Sequence, residues 1–123
     1  MKLPILLITA AALIAQGPAI TRTVVQRQDI SYPGREAVVA RVEIVPGGYA
    51  GRHSHPGEEI SYVTEGELEL LIDGQPPRNI KAGESFIIPG GSVHNGHNKG
   101  SVPVKFVGVY LIEKGNPLTN PAP

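Results

Sequence analysis

Four side chains in this sequence have the types and the spacing to share one metal ion: His53, His55, Glu59 and His94. His53 and His55 stand two apart in Gly51-Arg52-His53-Ser54-His55, and in an extended chain positions i and i+2 face the same way. Both imidazoles can therefore reach one point. Glu59 follows beyond a Pro56-Gly57 turn, and His94 comes about one hairpin later, behind Pro89-Gly90-Gly91. Imidazole nitrogens with a single carboxylate oxygen suit Mn, Fe, Co, Ni, Cu or Zn and match Ca or Mg poorly. The chain has no Cys, which excludes thiolate ligation, iron–sulfur clusters, disulfides and thiol catalysis.

The elements that must position these groups read as strands. Val38, Ala40, Val42 and Ile44 alternate with Val39, Arg41, Glu43 and Val45, the period of a half-buried strand that ends at Pro46-Gly47-Gly48. A second strand is expected from about Glu59 to Glu65, turning at Gly66. A third sets Leu68, Leu70 and Ile72 opposite Glu67 and Glu69. Asp73-Gly74 predicts a tight type I′ hairpin. Phe86 to Ile88 and Val102 to Ile112 complete the set, with Pro103 near the start of the last strand. No segment after the N-terminal region repeats apolar residues at helical spacing over three turns. Short strands with frequent turns, supplied by 15 Gly and 12 Pro, point to an antiparallel sandwich or barrel.

At 123 residues and 41% hydrophobic composition the chain has one core and one domain. Eleven basic and eleven acidic residues balance, without a basic block, so there is no electrostatic footprint for nucleic acid. Lys2, the apolar run Leu3 to Ile14 and the small-residue site at Gly17-Pro18-Ala19 read as a signal peptide over residues 1–19, cleaved on export to a periplasm or the medium. The run is shorter than a membrane-spanning helix needs, so no membrane partner is expected after cleavage. The barrel is expected over residues 20–115. Residues 116–123, with three Pro, form an extended tail.

Two longer patterns contain the four candidate ligands. Gly47 to Gly66 reads Gly-x5-His-x-His-x3-Glu-x6-Gly, and Gly83 to Asn98 reads Gly-x5-Pro-x-Gly-x2-His-x3-Asn. Together they resemble the two signature motifs of the cupin superfamily, with the short intermotif stretch of small single-domain bacterial cupins. The resemblance implies an all-β, single-domain jelly-roll β-barrel, a double-stranded β-helix, in which His53, His55, Glu59 and His94 bind one divalent transition metal. It also implies a homodimer and a small organic molecule as partner. It allows dioxygenases, isomerases, decarboxylases and lyases, and equally a non-catalytic metal-dependent binding or sensing protein.

The other motif residues have structural readings. Gly47, Gly66, Gly83 and Gly91 are expected in turns needing positive φ or close approach, and Asn98 as a tie between its loop and the backbone. His97 and Glu58 read as surface groups. By strand parity Ser61, Val63, Leu68, Leu70, Phe86, Ile88, Val104, Phe106 and Tyr110 point inward, as core and as pocket wall. No nucleophile with a base, no triad and no phosphate-binding loop appears.

Overall fold

The computed structural model describes residues 17–123; residues 1–16, most of the expected signal peptide, lie outside them. Ten strands follow in chain order: β1 (Ile20–Asp29), β2 (Arg35–Ile44), β3 (His53–Ser54), β4 (Gly57–Glu65), β5 (Glu67–Ile72), β6 (Arg78–Lys81), β7 (Ser85–Ile88), β8 (His94–His97), β9 (Val104–Glu113) and β10 (Asn120–Pro121). They form two antiparallel five-stranded sheets, β1-β2-β9-β4-β7 and β10-β3-β8-β5-β6. This is the all-β jelly roll that the alternating pattern and the motif resemblance lead one to expect.

Alternation decides which side of each strand faces the other sheet. On β2, Val38, Ala40, Val42 and Ile44 are buried; on β9 their neighbours are Val104, Phe106 and Tyr110; on β5, Leu68, Leu70 and Ile72. The buried apolar residues divide into two clusters. The larger joins Val42, Ile44, Val63, Leu68, Phe86, Ile88 and Phe106, with Phe86 edge-on to Phe106 at 5.7 Å. The smaller comprises Val38, Ala40, Tyr110 and Ile112, and Leu118 from the C-terminal segment closes over it.

Two strand limits and one turn differ from the sequence reading, each for a local reason. β2 begins at Arg35, three residues early, because Arg35 and Glu36 pair with Glu113 and Ile112 of β9 and Glu36 also with Asp29 of β1. β9 begins at Val104 rather than Val102, since Pro103 has no N–H and the Val102 carbonyl already accepts from Asn98 Nδ2 at 2.8 Å. The Asp73-Gly74 turn is not type I′. Gly74 has φ +79° but among the described residues no non-glycine has positive φ, so Asp73 does not, and Gln75 N–H donates to the Ile72 carbonyl at 3.0 Å. That sign pattern is a type II turn. Pro76 and Pro77 then delay pairing until Arg78.

The tail expected over residues 116–123 is built into the second sheet. Asn120 and Pro121 pair with Ser54 and His53, and Ala122 N–H donates to the Arg52 carbonyl at 3.0 Å. The four motif glycines, Gly47, Gly66, Gly83 and Gly91, all have φ between +76° and +89°.

Gly57 carries a different constraint. It opens β4 where that strand meets β9, and a Cβ there would stand 1.8 Å from the Leu111 carbonyl oxygen. Neither backbone can yield without disturbing the Gly57–Ile112 register that places Glu59. Gly57→Ala should therefore cost at least the roughly 1–3 kcal/mol typical of overpacking. Gly100→Ala, whose Cβ would meet nothing closer than 3.4 Å, should cost far less. Chemical denaturation of the two variants checks this; equal midpoints would refute the close approach as the constraint.

Candidate metal centre

The four candidate residues come from both sheets; the three histidines gather at one point between them, and Glu59 stands beside His55 and His94. His53 on β3 and His94 on β8 are direct cross-strand partners, and Ile72 on β5 flanks His94 on its other side. His55 lies in the turn between β3 and β4. Glu59 projects inward from β4 in the opposite sheet, paired with Tyr110 of β9 and Ile88 of β7. All four are buried. One ring nitrogen from each of the three histidines lies within 4.8 Å of the others. Glu59 Oε1 is 3.1 Å from His55 Nε2 and 3.4 Å from His94 Nε2.

Hydrogen bonding fixes what these atoms offer. His53 Nδ1 is 2.6 Å from the Gly51 carbonyl, His55 Nδ1 2.7 Å from that of Leu118, and His94 Nδ1 2.9 Å from that of Ser92. A carbonyl only accepts, so each Nδ1 carries the ring proton, and in a neutral imidazole each Nε2 then holds a lone pair. His55 Nε2 is enclosed without a hydrogen-bond partner, close to Glu59 Oε1 but not in donor geometry. Ser61 hydroxyl donates to Glu59 Oε2 at 2.7 Å, which leaves Oε1 to face the rings. Converging lone pairs with no proton between them suit a cation, and this donor set matches a borderline transition metal.

The ionisation states agree. Burial, the largest influence, lowers the His53 pKa from 6.5 to about 4, aided by His94 and His55 and opposed by the Gly51 carbonyl. Burial acts to raise the Glu59 pKa; a proton taken up by His55 or His94, with the Ser61 hydroxyl, outweighs it and holds the carboxyl well below the usual range, so the carboxylate calls for a cation beside the rings. Tyr110 packs edge-on to His55 at 4.7 Å, and burial next to Glu59 pushes its phenol up to about 12.

Other expected placements divide. Asn98 ties its loop as its position in the motif suggests: its amide donates to the Ile44 and Val102 carbonyls at 3.0 and 2.8 Å. His97 lies away from the centre, stacked on Tyr49 at 3.8 Å and paired with Glu69 at 3.1 Å. Glu58 points outward and accepts from Gly90 N–H. The inward residues fill the barrel more completely than a pocket wall would. Beside His53 and His94 only about 20 Å³ remains open, bounded by Leu68, Leu70, Phe86 and Phe106, enough for about one water. Val63, Ile88 and Val104 are simply core. A pocket of about 210 Å³ opens on the outer side of His53, between Arg22, Arg52, Thr119 and Pro121. Arg22 and the three carbonyl partners escaped the sequence reading. Backbone carbonyls leave no trace in a motif, although Arg22 does share strand parity with half-buried Ile20.

Comparison with known proteins is consistent with this arrangement. A family profile described as a cupin domain matches residues 40–110. Dimethylsulfoniopropionate lyase DddQ of Ruegeria pomeroyi is 38% identical over 60 residues, which is 48% of this chain and 30% of that protein. Among solved structures, a double-stranded β-helix protein from Klebsiella pneumoniae superposes with a TM-score of 0.69 at 27% identity, over 87% of this chain and 89% of that one. Oxalate oxidase in complex with the substrate analogue glycolate gives 0.66 at 27% identity, over 94% of this chain and 67% of that one. The chain spans about a third of the length of the curated relatives it matches.

The lowered His53 pKa makes the metal-free fold acid-sensitive. Between about pH 6.5 and 4 the unfolded chain binds the His53 proton and the folded chain does not, so stability falls as pH falls through that window. Glu59, with its depressed pKa, adds a loss only below the ordinary carboxylate range. In the presence of chelator, His53→Asn should flatten the dependence between pH 6.5 and 5. Thermal melts with the same slope for both proteins would contradict it.

Proposed function

The chain belongs to the cupin family, and on that footing we propose that His53, His55, Glu59 and His94 hold one divalent transition metal for a reaction on a small organic molecule. One observation carries the reading: three buried imidazoles, each held by a carbonyl on Nδ1, gather at one point, with the Glu59 carboxylate beside His55 and His94 and His55 Nε2 left without a hydrogen-bond partner. A bound ion would supply a Lewis acid, its identity set by loading as well as by donors.

The chain's own groups do the positioning. Carbonyls from Gly51, Leu118 and Ser92 orient the three rings, and Ser61 turns Glu59 Oε1 toward them. The packed aromatic and aliphatic floor excludes bulk water from the inner side. Chemistry on the outer side, of dioxygenase, isomerase or lyase type, is supported by a lyase and an oxidase among the relatives. A second reading, a non-catalytic metal-dependent binding or sensing protein, is favoured by the filled interior, which among the described residues leaves only about 20 Å³ open beside His53 and His94. Export is proposed from Lys2 and the apolar run alone.

The test is metal content followed by turnover. Purified protein reconstituted with Mn, Fe, Co, Ni, Cu or Zn should hold one equivalent per chain by mass spectrometry. Glu59→Gln and His94→Ala should each weaken binding by about 100-fold or more, above the 10–100-fold loss usual for an outer-shell partner. Less than a tenth of an equivalent of every metal would sink the site. Oxygen uptake or product formation across catechols, flavonols, diketones and short acids then separates enzyme from binding module.

We also propose a homodimer through the outer face of the β1-β2-β9-β4-β7 sheet. Ile87, Ile60, Val109 and Val39 are register partners that form one apolar row across four strands, with Ile60 and Ile87 exposed. Light scattering should give a dimer for the wild type and a monomer for Ile60→Lys. A monomeric wild type refutes it.

A further inference from the structure

Arg22 brings a guanidinium to the doorway of the metal centre without a carboxylate to meet it. It extends from β1, half-buried, and its Nε is enclosed with no hydrogen-bond partner. Nη1 has one long contact, 3.4 Å to the Thr119 hydroxyl, and the guanidinium carbon lies 5.8 Å over the Tyr110 ring. Among the described residues no acidic group forms an ion pair with it. Arg52 in the same pocket is a useful contrast. It is saturated, with 2.7 and 2.9 Å bonds to the two Asp73 oxygens and a 2.7 Å bond to the Pro123 carbonyl.

Arg22 and His53 are shared by the outer pocket of about 210 Å³ and the inner crevice of about 20 Å³. A ligand in the outer pocket thus reaches the guanidinium and the centre together. Half-enclosed charges are normally paired, because desolvation without a partner costs more than it returns. Glu59 is no substitute, since Ser61 holds its Oε2 and its Oε1 faces the histidine rings. A divalent ion with Glu59 as its only anionic ligand would add further positive charge beside Arg22. Among the described residues nothing supplies an anion for Arg22.

We infer that Arg22 is the anion-recognition residue of this site, and that the ligand is a small carboxylate with its charged end on the guanidinium and a second oxygen toward the metal. The inference rests on the metal reading above. A guanidinium matches a carboxylate through two parallel N–H donors, which the two terminal Nη groups can supply, the enclosed Nε lying behind them. The outer pocket is smaller than the roughly 300–1,000 Å³ of sites for drug-sized ligands, so an acid of a few carbons fits.

The test uses cobalt-loaded protein, glycolate as the probe and the visible cobalt spectrum as the readout. Glycolamide supplies the neutral control and inorganic phosphate the alternative anion. Wild type should show a saturable spectral change with glycolate and a weaker response to glycolamide and phosphate. Arg22→Met should take up cobalt at least as tightly yet bind glycolate about 10–100-fold more weakly, as expected for loss of a charge-assisted pair. Arg22→Lys keeps the charge on the strand without the fork and should fall between, which serves if the methionine variant folds poorly. Unchanged glycolate affinity in both variants, or equal affinity for glycolamide, overturns the proposal. A preference for phosphate overturns the carboxylate. A wild type that takes up no cobalt overturns the metal reading, before any glycolate is added, and this inference with it.

Discussion

Three backbone carbonyls, those of Gly51, Ser92 and Leu118, fix the protons of three buried imidazoles on the nitrogens that point away from one another. Everything else at the centre follows from that constraint. With Nδ1 occupied, the opposite edges of the rings can only offer lone pairs, and they offer them next to a carboxylate. Burying such a set against itself is unfavourable without a cation. The fold nonetheless holds it in place through the His53–His94 strand pairing on one side and the Glu59–Tyr110 pairing on the other.

The cost of this polar layer is spread over the packing around it. It lies where the two apolar clusters of the barrel meet: Phe86, Phe106, Leu68 and Leu70 border His53 and His94, while Tyr110 borders His55. Sheet register sets the geometry, since moving β4 one residue against β9 would turn Glu59 and Ser61 to solvent and bring Glu58 and Ile60 inward. Gly57 pins that register, because only a residue without Cβ lets β4 pass the Leu111 carbonyl.

Much of this was legible in the chain, for identifiable reasons. Period-two alternation marks β2, β5 and β9 because each has one face on a core, and the same parity places Ser61 beside Glu59 on the inward side. His53 and His55 advertise their convergence by spacing alone. The motif glycines appear as turns because positive φ leaves few other residues possible. β1 is mostly exposed on both faces, so no alternation marks it, and Arg22 went unnoticed with it. β8 reads His-Asn-Gly-His, with no apolar residue to betray a strand, although its position beside β5 aligns His94 with His53. Leu118 contributes a carbonyl, which any residue could supply.

These hidden parts share a location. The cupin-domain match spans residues 40–110 and contains all four candidate ligands, whereas Arg22 precedes it and Leu118 to Pro123 follow it. The segment common to the family therefore presents the lone pairs. The two ends of this chain build what surrounds them: β1 brings the guanidinium, and the tail both orients His55 and roofs the outer pocket through Thr119 and Pro121. Since the ends lie outside the matched segment, similarity within it says little about which molecule enters. Selectivity among anions then depends on a cation from one end of the barrel and a wall from the other, held together by the 3.4 Å contact between Arg22 and Thr119. A change in either terminal segment could alter the ligand while leaving the metal donors untouched.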